Sequence, residues 1–297
     1  MSDTPRVSDH YDAIAAGYGA GYERDRLETL PEYPANYFRL QILANRLADL
    51  GARRVYEVGV GEGTPLITLA RMGLEVSGCD VSERMVEVAQ QNFSAAGLPP
   101  DAIRWGDIED VTTVVDQLGA RPYDAVIAAG VLPHVRNDRL FLRNLHAFVD
   151  PGGTCFVEFR NKLFSLFTLN RFAKEFFLDD LLSDVDEEIR TAVAAELDER
   201  LATELPPVRT EAVDGGPGYD LIPAKFHNPF ELLEEFELAG YKDCKIHWYH
   251  YHPAPPLLES KLGDLFRREA LRMEHHPSNW KGNFLCSAGV VEATKCE

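Results

Sequence analysis

Between residues 51 and 160 the apolar positions alternate between two patterns. Short continuous runs at 54–58, 74–80, 103–108, 123–128 and 154–159 are separated by stretches in which apolar residues recur every three or four positions. The order reads β-α-β-α-β-α-β-α-β, and because a helical stretch lies in each crossover the strands are parallel. Thr64 and Pro65 are expected at N-cap and N1 of the first helix, Ser82 opens the second, and Asn137 or Asp138 a later one ending near Val149. Asp150-Pro151-Gly152-Gly153 then turns the chain into the fifth strand. Upstream, residues 37–50 pattern as an amphipathic helix with Phe38, Ile42, Leu43, Leu47 and Leu50 on one side, ended by Gly51 and expected to cover the sheet. Downstream, Asn228-Pro229-Phe230-Glu231 opens a helix that stops at Gly240. Residues 241–251 and 283–292 read as strands, and 253–281 as a helix with proline-rich flanks.

Residues 161–226 interrupt this alternation. An aromatic run (Phe164, Phe167, Phe172, Phe176, Phe177) precedes Ile189, Val193, Leu197, Leu201 and Leu205, spaced by four, which is expected to form an amphipathic helix with Asp186, Glu187 and Glu188 at its start. The segment is a helical insertion, either a lid over the substrate or a packing surface for a homodimer.

The first strand runs directly into Gly59-x-Gly61-x-Gly63, a strand–turn–helix junction of the kind that lets a ligand lie against backbone N–H groups. A dinucleotide loop wants glycine or alanine where this chain has Thr64. Charge discriminates further: Glu57 and Glu62 flank the loop, and no Lys or Arg occurs from Val55 to Ala70. Those acids would repel a pyrophosphate and would suit S-adenosylmethionine, which carries an ammonium and a sulfonium.

Glu57-x-Gly59-x-Gly61-x-Gly63 resembles the first motif of the class I S-adenosylmethionine-dependent methyltransferases. Asp80 follows at the end of the second strand, where the acid binds ribose hydroxyls, and Asp107 lies past the third, where the family binds the adenine amino group. Residues 123–135 resemble the fourth motif. The resemblance is close over roughly residues 50–160. It implies a Rossmann-like, mostly parallel seven-stranded sheet with an antiparallel last strand. Cofactor contacts are then expected from Glu57, Gly59, Gly61, Gly63, Asp80, Val81, Met85, Asp107, Ile108 and Ala129. Tyr11 and Tyr18 join them, because Tyr11-Asp12-x-x-Ala15-x-x-Tyr18-x-x-x-Tyr22 resembles a segment that folds over the cofactor in small-molecule methyltransferases. His134, just after the fourth strand, is the candidate general base. Arg160, Asn161, His227, Tyr249 and His250 are candidates for substrate contact. The chain thereby divides into an N-terminal helical cap (1–50), a cofactor-binding core (51–160), the insertion (161–226) and a C-terminal completion of the sheet (227–297).

The 297 residues are 45% hydrophobic, enough for a substantial core, and carry 48 acidic against 30 basic side chains for a net charge of −18. With no basic run, neither nucleic acid nor an anionic membrane is an expected partner, which leaves a small-molecule methyl acceptor. Five scattered cysteines and the absence of an apolar run of membrane-spanning length point to a cytoplasmic protein. Of the histidine-rich stretch 247–252, His250 and His252 would share one strand face and His247 the other, so no metal site is expected. The reading is a methyltransferase acting on a small molecule, with O-methylation of a sugar or secondary metabolite in view and S-adenosylhomocysteine as product. An NAD-dependent oxidoreductase and a non-catalytic S-adenosylmethionine-binding protein are the alternatives.

Overall fold

The computed structural model describes residues 33–114, 122–211 and 218–296. Parallel strands β1 (Arg54–Val58), β2 (Glu75–Asp80), β3 (Ile103–Trp105), β4 (Tyr123–Ala128) and β5 (Val149–Arg160) are joined on one edge by β6 (Tyr241–Tyr251) and β7 (Cys286–Lys295). The order across the sheet is β3-β2-β1-β4-β5-β7-β6, with β7 antiparallel to both its neighbours. The chain reverses its direction of travel across the sheet between β1 and β4, and at such a switch point a crevice opens at the carboxyl ends of the strands.

Two layers of helices bury the two faces. On one lie α1 (Ala35–Leu50), α2 (Thr64–Arg71) and α3 (Glu83–Ala95), with Leu43, Leu47, Leu66, Leu69 and Phe93 packed on Val55, Ile127 and Phe156. On the other, α4 (Asp138–Phe148) and α8 (Pro229–Leu238) bring Phe141, Leu145, Phe148 and Phe236 onto Tyr56, Val126 and Val157. The central strands β1 and β4 are buried along most of their length because both faces are covered, which is why they read as continuous apolar runs. The free thiols of Cys79, Cys155 and Cys286 are buried in this core, and burial pushes those of Cys79 and Cys155 up to about 12, out of reach of ordinary thiol chemistry.

Between β5 and α8 come short helices α5 (Ser165–Thr168) and α6 (Arg171–Glu175), a π-helical turn (Phe176–Leu181) and α7 (Glu187–Arg200). Between β6 and β7 lie α9 (Glu259–Leu262), α10 (Asp264–Met273) and α11 (Gly282–Leu285).

Several boundaries differ from the sequence reading, each for a local reason. The N-cap of α2 is Gly63, not Thr64: the Glu62 carboxylate accepts from the Thr64 hydroxyl at 2.6 Å, and the helix starts one residue earlier than the capping pattern suggests. The turn at 150–153 is absorbed into β5 as a bulge, Tyr123 pairing with Val149 and Ala125 with Thr154. The expected single helix at 253–281 is broken at Gly263, and the last strand begins three residues late because α11 precedes it. Leu50, expected on the buried side of α1, is exposed.

The stripe at Ile189, Val193 and Leu197 reaches no core: Val193 and Leu197 are only half-buried, Ile189 is exposed, and Leu201 and Leu205 lie beyond the end of α7. A period of four advances about 40° per step around a helix of 3.6 residues per turn, so the apolar positions wind round the axis rather than forming one face.

The buried side of α1 contains two arginines that the apolar pattern did not reveal. Arg39 Nη1 donates to Glu158 Oε2 of β5 at 2.5 Å, both residues being less than a tenth exposed. One heptad on, Arg46 donates to Glu292 Oε2 of β7 at 2.7 Å, and His247 Nε2 of β6 reaches the same oxygen at 2.7 Å. The partnership holds the Glu292 carboxyl down at about 2 despite its burial. Removing one member of a buried pair strands the other charge. Arg39→Leu is therefore expected to lower unfolding stability by about 3 kcal/mol in urea titrations of the ligand-free protein. Adding Glu158→Leu should restore most of that loss, and a double variant no more stable than the single one would show that the pair is not the cause.

Candidate cofactor cleft and active site

A cleft opens at the carboxyl ends of β1, β2, β3 and β4. Its empty volume, solvent at the mouth included, is about 970 Å3. It is built from four loops. After β1 the chain turns at Gly59, whose φ is +75° and where a Cβ would stand 2.4 Å from Val131 Cγ2, so only glycine admits the β4 loop this close. The N–H groups of Gly59 and Val60 both donate to the Cys79 carbonyl, tying the loop to β2. Asp80, at the end of β2, accepts from the Gly61 N–H and the Ser82 N–H at 2.9 Å each, so one carboxylate sets both the glycine loop and the start of α3.

Of the residues expected to hold the cofactor, Glu57, Gly59, Gly61, Asp80, Val81, Met85, Asp107, Ile108 and Ala129 line the cleft. Gly63 does not: it packs towards Ala89 and Phe93 of α3 and serves helix packing. Tyr11 and Tyr18 lie outside the described residues. Glu62 reaches the cleft wall, yet its carboxylate is spent on Thr64 and on the Asn92 side chain, a structural use that the charge argument did not foresee.

The electrostatics decide what the cleft accepts. Five carboxylate residues (Glu57, Glu62, Asp80, Asp107, Glu109) line it against one arginine, Arg39, already paired with Glu158. Glu57 is 2% exposed, and its Oε2 has no hydrogen-bond partner. Burial pushes this carboxyl up to about 8, Arg39 opposing and Asp80 and Glu62 adding to the rise. Burial likewise raises Asp107. A buried, unanswered carboxyl beside a cleft is a site for a cation, and a pyrophosphate would meet five acids. The residues present therefore fit S-adenosylmethionine and do not fit a dinucleotide. In such a fit Glu57 would meet the cationic end, Asp80 the ribose hydroxyls, and Val81, Met85 and Ile108 would give apolar contact beside Asp107.

His134 ends a 3-10 turn, Leu132–His134, that follows β4, and its ring lines the cleft. Its Nδ1 lies 2.5 Å from the Pro223 carbonyl oxygen. A carbonyl only accepts, so Nδ1 bears the hydrogen and Nε2 is the basic nitrogen. The end of the insertion is held over this turn: the Lys225 N–H donates to the Pro133 carbonyl at 2.8 Å, and the Tyr219 ring stands near-perpendicular to that of His134, their centroids 6.3 Å apart.

The other expected substrate residues do not line the cleft. Asn161 is wholly buried and structural, its Nδ2 donating to the carbonyls of Asn283 and Cys286. Tyr249 is buried against Glu158 and Arg39. His227 is joined through Nε2 to Asp138 at 3.1 Å, and that carboxylate also pairs with Lys225. His250 stacks on Tyr33 at 4.9 Å and meets the Ser287 hydroxyl at 2.8 Å. Its φ of +60° breaks the strand alternation. Arg160 lies beside the site rather than in it, its guanidinium 4.6 Å over the Tyr219 ring. Reading the sequence missed Arg39 and Tyr219. A signal existed for Arg39, four residues before Leu43 and seven before Arg46 on the apolar side of α1. None existed for Tyr219, which arrives from the insertion.

Residues 56–155 match the family model described as "Methyltransferase domain". Over this segment the chain is similar to methyltransferase domains. Among similar curated proteins are a ubiquinone biosynthesis O-methyltransferase of Xanthomonas axonopodis pv. citri, 31% identical over 47% of this chain and 56% of its own length, and one of Chromobacterium violaceum, 31% identical over 51% and 59%. The chain thus spans somewhat over half the length of the curated relatives it matches. The fold is shared along almost the whole chain with magnesium protoporphyrin IX methyltransferase from Synechocystis PCC 6803 bearing bound SAH, at a TM-score of 0.51 and 16% identity over 99% of this chain and 100% of that one. Among the described residues no helix is long and apolar enough to cross a membrane, and no three side chains converge as metal ligands would.

Two outcomes follow for this cleft. Because its folded value lies above the usual carboxylate range, Glu57 contributes stability that is complete below about pH 4.5 and lost as pH rises through about 8. Glu57→Gln should therefore raise the melting temperature of the ligand-free protein by a few degrees at pH 8.5 and much less at pH 5, while weakening S-adenosylhomocysteine binding. Equal shifts at the two pH values would refute the buried acid. Asp80→Ala should weaken that ligand by about 10- to 150-fold in calorimetry, the range for lost charge-assisted hydrogen bonds, and a change under about threefold would remove Asp80 from the ribose.

Proposed function

We propose that this chain transfers the methyl group of S-adenosylmethionine to a hydroxyl oxygen of a small-molecule acceptor. The observation that carries this reading is the position of His134, with Nδ1 fixed on the Pro223 carbonyl and its ring lining a cleft whose other walls fit the methyl donor. The donor supplies an electrophilic methyl group whose sulfur leaves as a neutral thioether. The chain's own residues do the rest. The β1 and β2 loops hold the donor on the β1–β3 side of the cleft, so its methyl points towards the ends of β4 and β5. His134 Nε2 takes the proton from the acceptor hydroxyl as the new C–O bond forms and the C–S bond breaks, and its tautomer needs no rearrangement for that step.

The segment 218–227 acts as a lid over the acceptor. It rests on Pro133 and His134, and its far end returns to β5, where the His227 N–H donates to the Arg160 carbonyl at 2.7 Å. Excluding water there strengthens the interactions around a charge that vanishes on transfer. Oxygen as the nucleophile is supported by the names of the similar curated proteins, both O-methyltransferases. A nitrogen acceptor would need a base less. The acidity of the whole chain, net −18, favours a small molecule over nucleic acid.

His134→Ala is expected to lower turnover at least about tenfold with S-adenosylhomocysteine affinity changed by less than about twofold. Comparing single-turnover rates with calorimetric affinity for the two proteins decides it: equal losses in both would make His134 part of the donor site and leave the reaction without this base.

A further inference from the structure

The acceptor side of the cleft differs in charge from the donor side. Arg160 ends β5, two residues after Glu158 on the same face of the strand. Glu158 Oε2 in turn lies 3.7 Å from where a Cβ on Gly130 of the cleft wall would stand. Arg160 is thus placed just above the end of the cleft that His134 borders. It is half-buried, yet among the described residues no carboxylate stands within ion-pair distance of it. Other arginines are answered: Arg39 by Glu158, Arg171 by Glu175, and Arg209, on the same Tyr219 ring, by Asp220. In a chain with 48 acids to 30 bases, a half-buried guanidinium without one is an exception that the composition does not predict. The charge rests instead on the ring of Tyr219, shared with Arg209 at 4.8 Å on the same ring.

We propose that the methyl acceptor carries a carboxylate, which Arg160 binds from its platform on Tyr219 and so sets the acceptor hydroxyl against His134; this rests on the methyltransferase reading above. The planar fork of a guanidinium matches a carboxylate with two parallel hydrogen bonds, and an aromatic ring beneath it pre-orients that fork. Tyr219 neighbours both partners, carrying the Arg160 guanidinium 4.6 Å from its ring centroid and standing near-perpendicular to the His134 ring at 6.3 Å, so an anion bound by Arg160 lies on the same side of the cleft as the basic nitrogen. The acids beside the donor would repel the same group, which prevents the acceptor from entering the donor half backwards. Arg160 is in this sense a specificity residue and takes no part in bond making.

The test uses the full-length protein saturated with S-adenosylhomocysteine and matched pairs of hydroxy acids and their uncharged amides, protocatechuate with its amide and salicylate with salicylamide, followed by calorimetry, and then by turnover with S-adenosylmethionine for any pair that reacts. The acid of at least one pair should bind at least about tenfold more tightly than its amide. Arg160→Gln should remove that preference by weakening the acid about 10- to 100-fold, in KM rather than kcat, with S-adenosylhomocysteine affinity and melting temperature unchanged. Arg160→Lys should recover part of it. Equal binding within every pair, a preference for the amides, or binding of no acid while S-adenosylhomocysteine binds normally would each overturn the carboxylate proposal alone. Failure of the wild-type protein to bind S-adenosylhomocysteine would instead overturn the methyltransferase reading and this proposal with it.

Discussion

One buried cation, Arg39, answers the carboxyl ends of strands that are far apart in sequence. It bonds Glu158 of β5, hydrogen-bonds Tyr249 of β6 and lowers the otherwise unfavourable charge of Glu57 on β1. All of this takes place under a layer of apolar side chains, where an unpaired charge would be costly. Helix α1 therefore clamps the sheet by charge as well as by its leucines. The arrangement leaves Glu57 only partly compensated. A fully paired acid would have no reason to attract a ligand, and an acid with no cation nearby could hardly be tolerated at this depth.

The same logic explains how the site is divided. At the ends of β1, β2 and β3 acids predominate and the loops are fixed by backbone bonds to Asp80 and Cys79, which makes a rigid pocket selective for cations. At the ends of β4 and β5 the composition changes to histidine, arginine and tyrosine. There the walls are supplied by a segment held to the body by backbone contacts at Pro133, Arg160 and Lys162 and by the pairing of Lys225 and His227 with Asp138. A rigid donor half and a separately built acceptor half match what transfer between two different molecules needs: the donor is common to many enzymes, while the acceptor pocket can vary with the insertion.

Legibility followed the range of the interactions. The parallel core, the β6 limits, the Ser82 cap of α3 and the Asn228 cap of α8 were readable because each depends on residues a few positions apart. The α7 stripe misled because a spacing of four looks helical although it drifts round the axis. Asn161 and Tyr249 looked chemical because polar residues stand at strand ends; the fold uses them to satisfy carbonyls and buried charges more than 80 residues away. For His250 a left-handed backbone interrupts the strand alternation, yet its ring lies 4.7 Å from that of His252, the neighbour that parity gave it.

The sequence by itself determined the class of fold, the place of the cleft and the sign of charge inside its donor half. Hydrophobic period, glycine spacing and the run of acids without a base are properties of neighbours along the chain. Only the tertiary structure decided which of those acids is spent on structure and which faces the cleft unpaired, that Arg39 from an N-terminal helix stands beneath the site, and that Tyr219 and Pro223 of the insertion meet His134. Those outcomes depend on burial and on contacts between distant segments, and the energy of a charge is set by what surrounds it in space, which spacing along a chain does not encode.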